Sequence, residues 1–200
     1  MRSYEIKADF EVDFKPFEPE NLKNATLLQL DLEGDFYPVL EKLNTKFGIS
    51  AEPRGNGYHV SIIRPVDKGV LQKLDAAKLE ILNTGLQEFM QHPDMHITGI
   101  GYVDGSTRDD MREVDKEKKV CFVTLESAKL AKLREDLELP KAYFHVTLGF
   151  EGGDIHTRLD VPDANGKRRQ LVIEKEPNPD LNDLMDNLPV VRKITGVSTL

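Results

Sequence analysis

The chain has 200 residues, with 27 Lys and Arg against 35 Asp and Glu, a net charge of −8, and 39% hydrophobic residues. That hydrophobic share is enough to bury a core and excludes wholesale disorder. The acidic balance argues against the broad basic face that grips an extended nucleic-acid backbone. No apolar run approaches the roughly 18 residues that span a bilayer, and the start MRSYEIKADFEVDF is too charged for a signal peptide. A cytoplasmic monomer without membrane association is the expectation. The single cysteine, Cys121, lies in Val120-Cys121-Phe122-Val123 and reads as a small buried hydrophobe.

Taken in order, Tyr4 to Phe14 alternates apolar and charged residues and predicts a half-buried strand, which Pro16 and Pro19 end. Leu27 to Leu32 predicts a second strand, and Asp35 is placed to cap a helix reaching Phe47, with Gly48 as its stop. RGNG at 54–57 reads as a turn and Tyr58 to Ile63 as a strand. Helical spacing of Leu79, Leu82, Leu86, Phe89 and Met90 predicts a helix from Asp75 to about Gln91, closed by Pro93. His96–Val103 and Val120–Leu125 read as strands joined by the charged segment DGSTRDDMREVDKEKK, whose run 108–119 is expected to be a mobile solvated loop in a position to cover substrate. Ser127 caps a predicted helix to about Leu137, Tyr143 to Phe150 is a strand, and Gln170 to Glu174 an edge strand. The last two dozen residues, with Pro177, Pro179 and Pro189, read as a mostly irregular tail or short helix.

Two stretches repeat one pattern. LLQLDL, helix, YHVSII in the first half parallels VCFVTL, helix, FHVTLGF in the second. The expected architecture is α+β and bilobal: a duplicated fold of two antiparallel-sheet lobes with flanking helices around a central cleft. It would be one domain over 1–175, with halves at about 27–75 and 95–150, an N-terminal strand extension over 1–26 and a C-terminal tail over 176–200. Residues i and i+2 of a strand share a face, so His59 points with Ser61, and His145 with Thr147, away from Val60, Ile62, Val146 and Leu148. Either His alone is most often an ordinary histidine; two equivalent His-x-hydroxyl strands are hard to obtain by accident. If the strands face each other, two imidazoles and two hydroxyls meet. One imidazole takes a proton from the attacking oxygen, the other gives one to the leaving oxygen, and the hydroxyls stabilise the non-bridging oxygens. Paired imidazoles predict a bell-shaped rate profile with an optimum at about pH 6 to 8.

His59-Val60-Ser61-Ile62 and His145-Val146-Thr147-Leu148 resemble the paired motifs of the two-histidine (2H) phosphoesterase superfamily. That group includes bacterial RNA 2′,3′-cyclic phosphodiesterases once called 2′-5′ RNA ligases, plant cyclic phosphodiesterases, and phage enzymes that degrade cyclic nucleotide signals. FHVTLGF with GDIH close behind is similar to the RNA-repair-like branch. The resemblance covers residues 27 to 150 and implies a metal-independent phosphoric diester hydrolase with no cofactor, in which His59, Ser61, His145 and Thr147 are catalytic. The implied substrate is a 2′,3′-cyclic phosphate on an RNA end or small nucleotide. Which imidazole is acid and which is base stays open.

Three further residues are candidates for binding substrate. Tyr143 shares a face with His145 and offers a ring for base stacking, whereas Tyr58 and Phe144 fall on the core side. Arg64 ends the first motif strand and is a phosphate ligand or a surface ion pair; His156 reaches the cleft only if its loop folds back. His92 and His96 bracket Pro93-Asp94 at a metal-compatible spacing, yet two histidines and one carboxylate are a weak set, and no metal is expected. Two rivals remain at this stage: a hydrolase of 3′,5′- or 2′,5′-linked signalling nucleotides, and a nucleotide-binding module without turnover.

Overall fold

Leucines at 28, 30 and 32 alternate with Gln29 and Asp31, and Leu27–Glu33 is strand β1, its leucines buried. The strand belongs to a computed structural model that describes residues 14–55, 57–64, 67, 69–107, 111–155, 172–174 and 190–197. The expected N-terminal strand over Tyr4 to Phe14 lies almost wholly outside these residues. After a four-residue helix, α1 (Pro19–Leu22), and β1 comes α2 (Tyr37–Phe47). The Asp35 carboxylate accepts the Tyr37 N–H at 2.9 Å, and Gly48 closes the helix at φ 62°. Then follow β2 (Glu52–Pro53), β3 (Tyr58–Ile63), α3 (Ala76–Gln91), β4 (His96–Asp104), β5 (Lys119–Glu126), α4 (Ala128–Asp136), β6 (Phe144–Glu151), β7 (Val172–Glu174) and β8 (Val190–Val197). Asp75 and Ser127 cap α3 and α4 through the Lys78 and Leu130 N–H groups.

The fold is α+β, with two antiparallel sheets. One has the order β3-β1-β8, the other β2-β6-β5-β4-β7. In each, a strand, a helix and an antiparallel neighbouring strand follow one another: β1-α2-β3 in the first and β5-α4-β6 in the second. β3 and β6, which carry the two His-x-hydroxyl motifs, lie against each other. A continuous core unites the two sheets, with Leu28, Leu30, Val60 and Ile62 from one, Cys121, Val123, Val146 and Leu148 from the other, and Leu82, Leu86, Phe89, Leu130 and Leu133 from α3 and α4. Cys121 is fully buried, and burial pushes its thiol up to about 12, so it is an inert packing residue. Among the described residues no helix is long and apolar enough to cross a membrane.

Two expectations are corrected. The C-terminal stretch is not irregular throughout, because Val190–Val197 pairs with β1 along its whole length, from Leu27↔Val197 to Glu33↔Val190. The prolines at 177, 179 and 189 all precede the strand, and its own run, VVRKITGV, is rich in the β-branched residues that suit a sheet. Over 190–197 the chain is thus a strand of the first sheet. The charged segment after β4 is also more ordered than a solvated loop. Asp115 is completely buried and accepts from Arg112 and Lys118 at 2.8 and 2.9 Å, while Gly105 N–H bonds the Lys118 carbonyl at 2.9 Å. A side chain at Gly105 would collide with the Asp115 carbonyl, so glycine is required there. Met111 packs in a small cluster with Val103, Val120, Phe122 and Ile155. Composition suggested solvation; a buried, fully paired carboxylate organises the segment instead. Residues 108–110, within that segment, lie outside the described residues.

Candidate active site

Strand alternation places the four central residues as follows. On β3, Val60 and Ile62 are buried while His59 and Ser61 stay half-exposed on the opposite face. On β6, Val146 and Leu148 are fully buried, His145 is exposed and Thr147 is buried. Register adds a polar strip to each side. Asp31 pairs with His59 and Gln29 with Ser61, and the Gln29 amide donates to the Asp31 carboxylate at 2.6 Å. Across from these, Thr124 pairs with His145 and Phe122 with Thr147. The Thr124 hydroxyl is 3.1 Å from that of Thr98, and the Phe122 ring stands edge-on to His145 with centroids 6.4 Å apart.

The two imidazoles share one electrostatic environment. His59 is lowered from 6.5 to about 4, first by burial, then by the Arg54 guanidinium, against the opposing pull of Asp31; His145 lowers it further and Asp154 raises it. At neutral pH His59 is therefore an uncharged imidazole able to accept a proton. His145 Nδ1 lies 3.2 Å from the Tyr143 carbonyl. A carbonyl only accepts, so this contact puts a proton on Nδ1.

The peripheral candidates separate. Tyr143 borders His145 directly, 37% exposed, with Lys141 Nζ 6.0 Å from its ring centroid. Tyr58 and Phe144 are core-side, as alternation predicts: Tyr58 packs edge-on to Phe36 and Phe144 is buried. Arg64 is drawn to Asp67, with Nε 3.6 Å from the carboxylate and its backbone N–H bonded to the same oxygen at 3.0 Å. His156 lies outside the described residues. The segment around His92 and His96 is structural: Lys129 Nζ donates to the His92 carbonyl at 2.6 Å, while Asp94 accepts from the Ser127 hydroxyl and the Lys129 N–H. Asp94 thus serves the N-terminus of α4. Among the described residues no group of three or more His, Cys, Asp and Glu is placed to hold a metal ion.

Sequence reasoning missed several neighbours of His59. Gln29 and Asp31 were legible in principle, since the leucine alternation of LLQLDL turns both to the face opposite the core. Arg54 and Asp154 carry no local signal, because a turn before β3 and a glycine bend after β6 bring them together.

The 2H-SAK family (Swiss Army Knife, 2H phosphoesterase domain) matches residues 28–156, which span β1 through β6 and both motif strands. No curated protein and no solved structure matches the chain. A match over that much of the chain makes the chain a member of the 2H phosphoesterase family and an enzyme with phosphodiesterase-type activity.

Proposed function

We propose that the chain hydrolyses a 2′,3′-cyclic phosphodiester, on an RNA end or a small nucleotide, by metal-independent acid–base catalysis shared between His59 and His145. The observation that carries this reading is that the two imidazoles come from different sheets yet lie close enough for one to depress the basicity of the other, each with a hydroxyl two residues along its strand. Neutral His59 takes a proton from water as the oxygen attacks phosphorus, and His145 Nε2 gives a proton to the departing ribose oxygen. One P–O bond forms and one breaks, leaving a 2′- or 3′-phosphomonoester. Ser61 and Thr147 donate to the non-bridging oxygens, and Tyr143 stacks on the base. Arg64, held by Asp67, acts on the strand end more than on substrate. The net charge of −8 suits a small anionic substrate or a single RNA end better than an extended backbone. Membership of an enzyme family sets aside the non-catalytic binding module.

The test is a panel of 2′,3′-cyclic mononucleotides, cyclic-phosphate RNA ends, 3′,5′-cyclic nucleotides, cyclic dinucleotides and 2′,5′-oligoadenylates, incubated in excess chelator. Turnover of the 2′,3′-cyclic substrates in chelator is the expected result. Activity confined to 3′,5′ or 2′,5′ linkages would overturn the substrate, and activity restored only by one divalent ion would overturn the mechanism.

A further inference from the structure

Arg54 sits where the two motif strands meet, and the backbone puts it there. Glu52 pairs with Phe150 and Pro53 with Gly149, and the Arg54 N–H then donates to the Leu148 carbonyl at 3.1 Å. This close approach needs Gly149, because a side chain there would collide with the Glu52 carbonyl. Arg54 is thus fastened to β6 one residue beyond Thr147, and the chain turns through Gly55 and Gly57 into β3 and His59.

The Arg54 guanidinium meets the Asp154 carboxylate at 3.2 Å, with side chains 16% and 22% exposed. Asp154 is fixed from behind, its carbonyl accepting from Lys118 Nζ at 3.1 Å after the positive-φ pair Gly152-Gly153. Both charges act on His59, Arg54 lowering its proton affinity and Asp154 raising it. A guanidinium offers donors whose geometry fits carboxylate and phosphate alike.

We propose that Arg54 binds the substrate phosphate and that Asp154 is an internal anion which the phosphate displaces, so that the pair sets affinity at the active site. The proposal rests on the phosphodiester reading above but concerns binding, not proton transfer. Asp154 holds the guanidinium in place when substrate is absent and competes with it when substrate arrives.

The experiment measures binding of inorganic phosphate and of adenosine 3′-monophosphate to the full chain, followed through the imidazole NMR signals of His59 and His145, with kcat and KM measured alongside. Arg54→Met should weaken both ligands by about 10- to 100-fold, the loss expected for charge-assisted hydrogen bonds to an anion. Arg54→Lys should recover part of the affinity, since it keeps the charge and loses the fork. Asp154→Asn should tighten binding and lower KM, because it removes the competing anion and keeps the shape. Unchanged affinity in a folded Arg54→Met protein overturns the proposal. So does Asp154→Asn weakening phosphate as much as Arg54→Met, which would make Asp154 a brace and not a competitor. Neither ligand needs turnover, so a failed phosphodiesterase assay leaves the result readable. Lost phosphate binding in Arg54→Met beside full activity in His59→Ala would uphold this inference and remove the catalytic one.

Discussion

His59→Ala and His145→Ala should each lower kcat/KM by about 10² to 10⁴, with the fold intact. In the proposed mechanism each imidazole handles a different proton, and the remaining one cannot be both acceptor and donor in the same step. Neither side chain holds the core together: His59 is half-exposed, His145 is exposed, and the residues that pack β3 and β6 are Val60, Ile62, Val146 and Leu148. Circular dichroism and melting temperature should therefore match the parent while activity falls. Ser61→Ala and Thr147→Val remove the single phosphate donors that this mechanism proposes and should cost less, about 10- to 1,000-fold. A His variant with near-parent activity would refute the assignment.

Arg134→Met should destabilise the protein by about 3 to 5 kcal/mol, the cost expected when one partner of a buried ion pair is removed. Arg134 is 1% exposed, yet it lies on α4, whose other inward residues are leucines. Its guanidinium donates to the Ile62 carbonyl at 2.5 Å, to Asp67 at 3.0 Å and to the Pro140 carbonyl at 3.1 and 2.7 Å. It thus joins the end of β3 to the segment entering β6. Burial alone would raise Asp67, but hydrogen bonds from Arg134 and the Arg64 backbone, together with both guanidinium charges, hold it below the usual carboxylate range. Methionine fills the space but leaves a buried carboxylate and two carbonyls without these donors. Adding Asp67→Asn to Arg134→Met should restore part of the loss, since a buried carboxylate left with Arg64 as its remaining cationic partner is then gone. Denaturant titration of the two variants checks both statements; a loss below about 1 kcal/mol would show that solvent replaces the guanidinium.

Alternation and capping made much of this molecule readable. YHVSII and FHVTLGF became strands with the His and hydroxyl residues on the non-core face, and Asp75, Ser127 and Gly48 bounded the helices as expected. The unread features depend on partners far along the chain. β2 is two residues long and contains a proline, and only its pairing with β6 makes it a strand. The prolines before residue 190 concealed β8, which has β1 as its partner. Nothing in AKLAKLRED sets Arg134 apart from its exposed neighbours, although the fold encloses it, and Asp115 is one of many charges in a segment that is built around it. The depressed basicity of His59 follows from burial and from Arg54, neither of which the motif encodes.

That depression makes the pH dependence of kcat/KM the most direct test of paired imidazole catalysis. A base must be unprotonated to work, so a His59 lowered to about 4 stays competent well below the pH at which an ordinary imidazole is charged. The acidic limb should accordingly fall near 4, extending activity to the acid side of the optimum of about 6 to 8 that unperturbed histidines imply. The alkaline limb should mark loss of the proton from the donor. His145→Ala should remove the alkaline limb from the residual activity, and His59→Ala the acidic one. The account predicts this exchange of limbs; a parent rate flat from about pH 4 to 9 with chemistry rate-limiting, or an acidic limb that survives in His59→Ala, would contradict it.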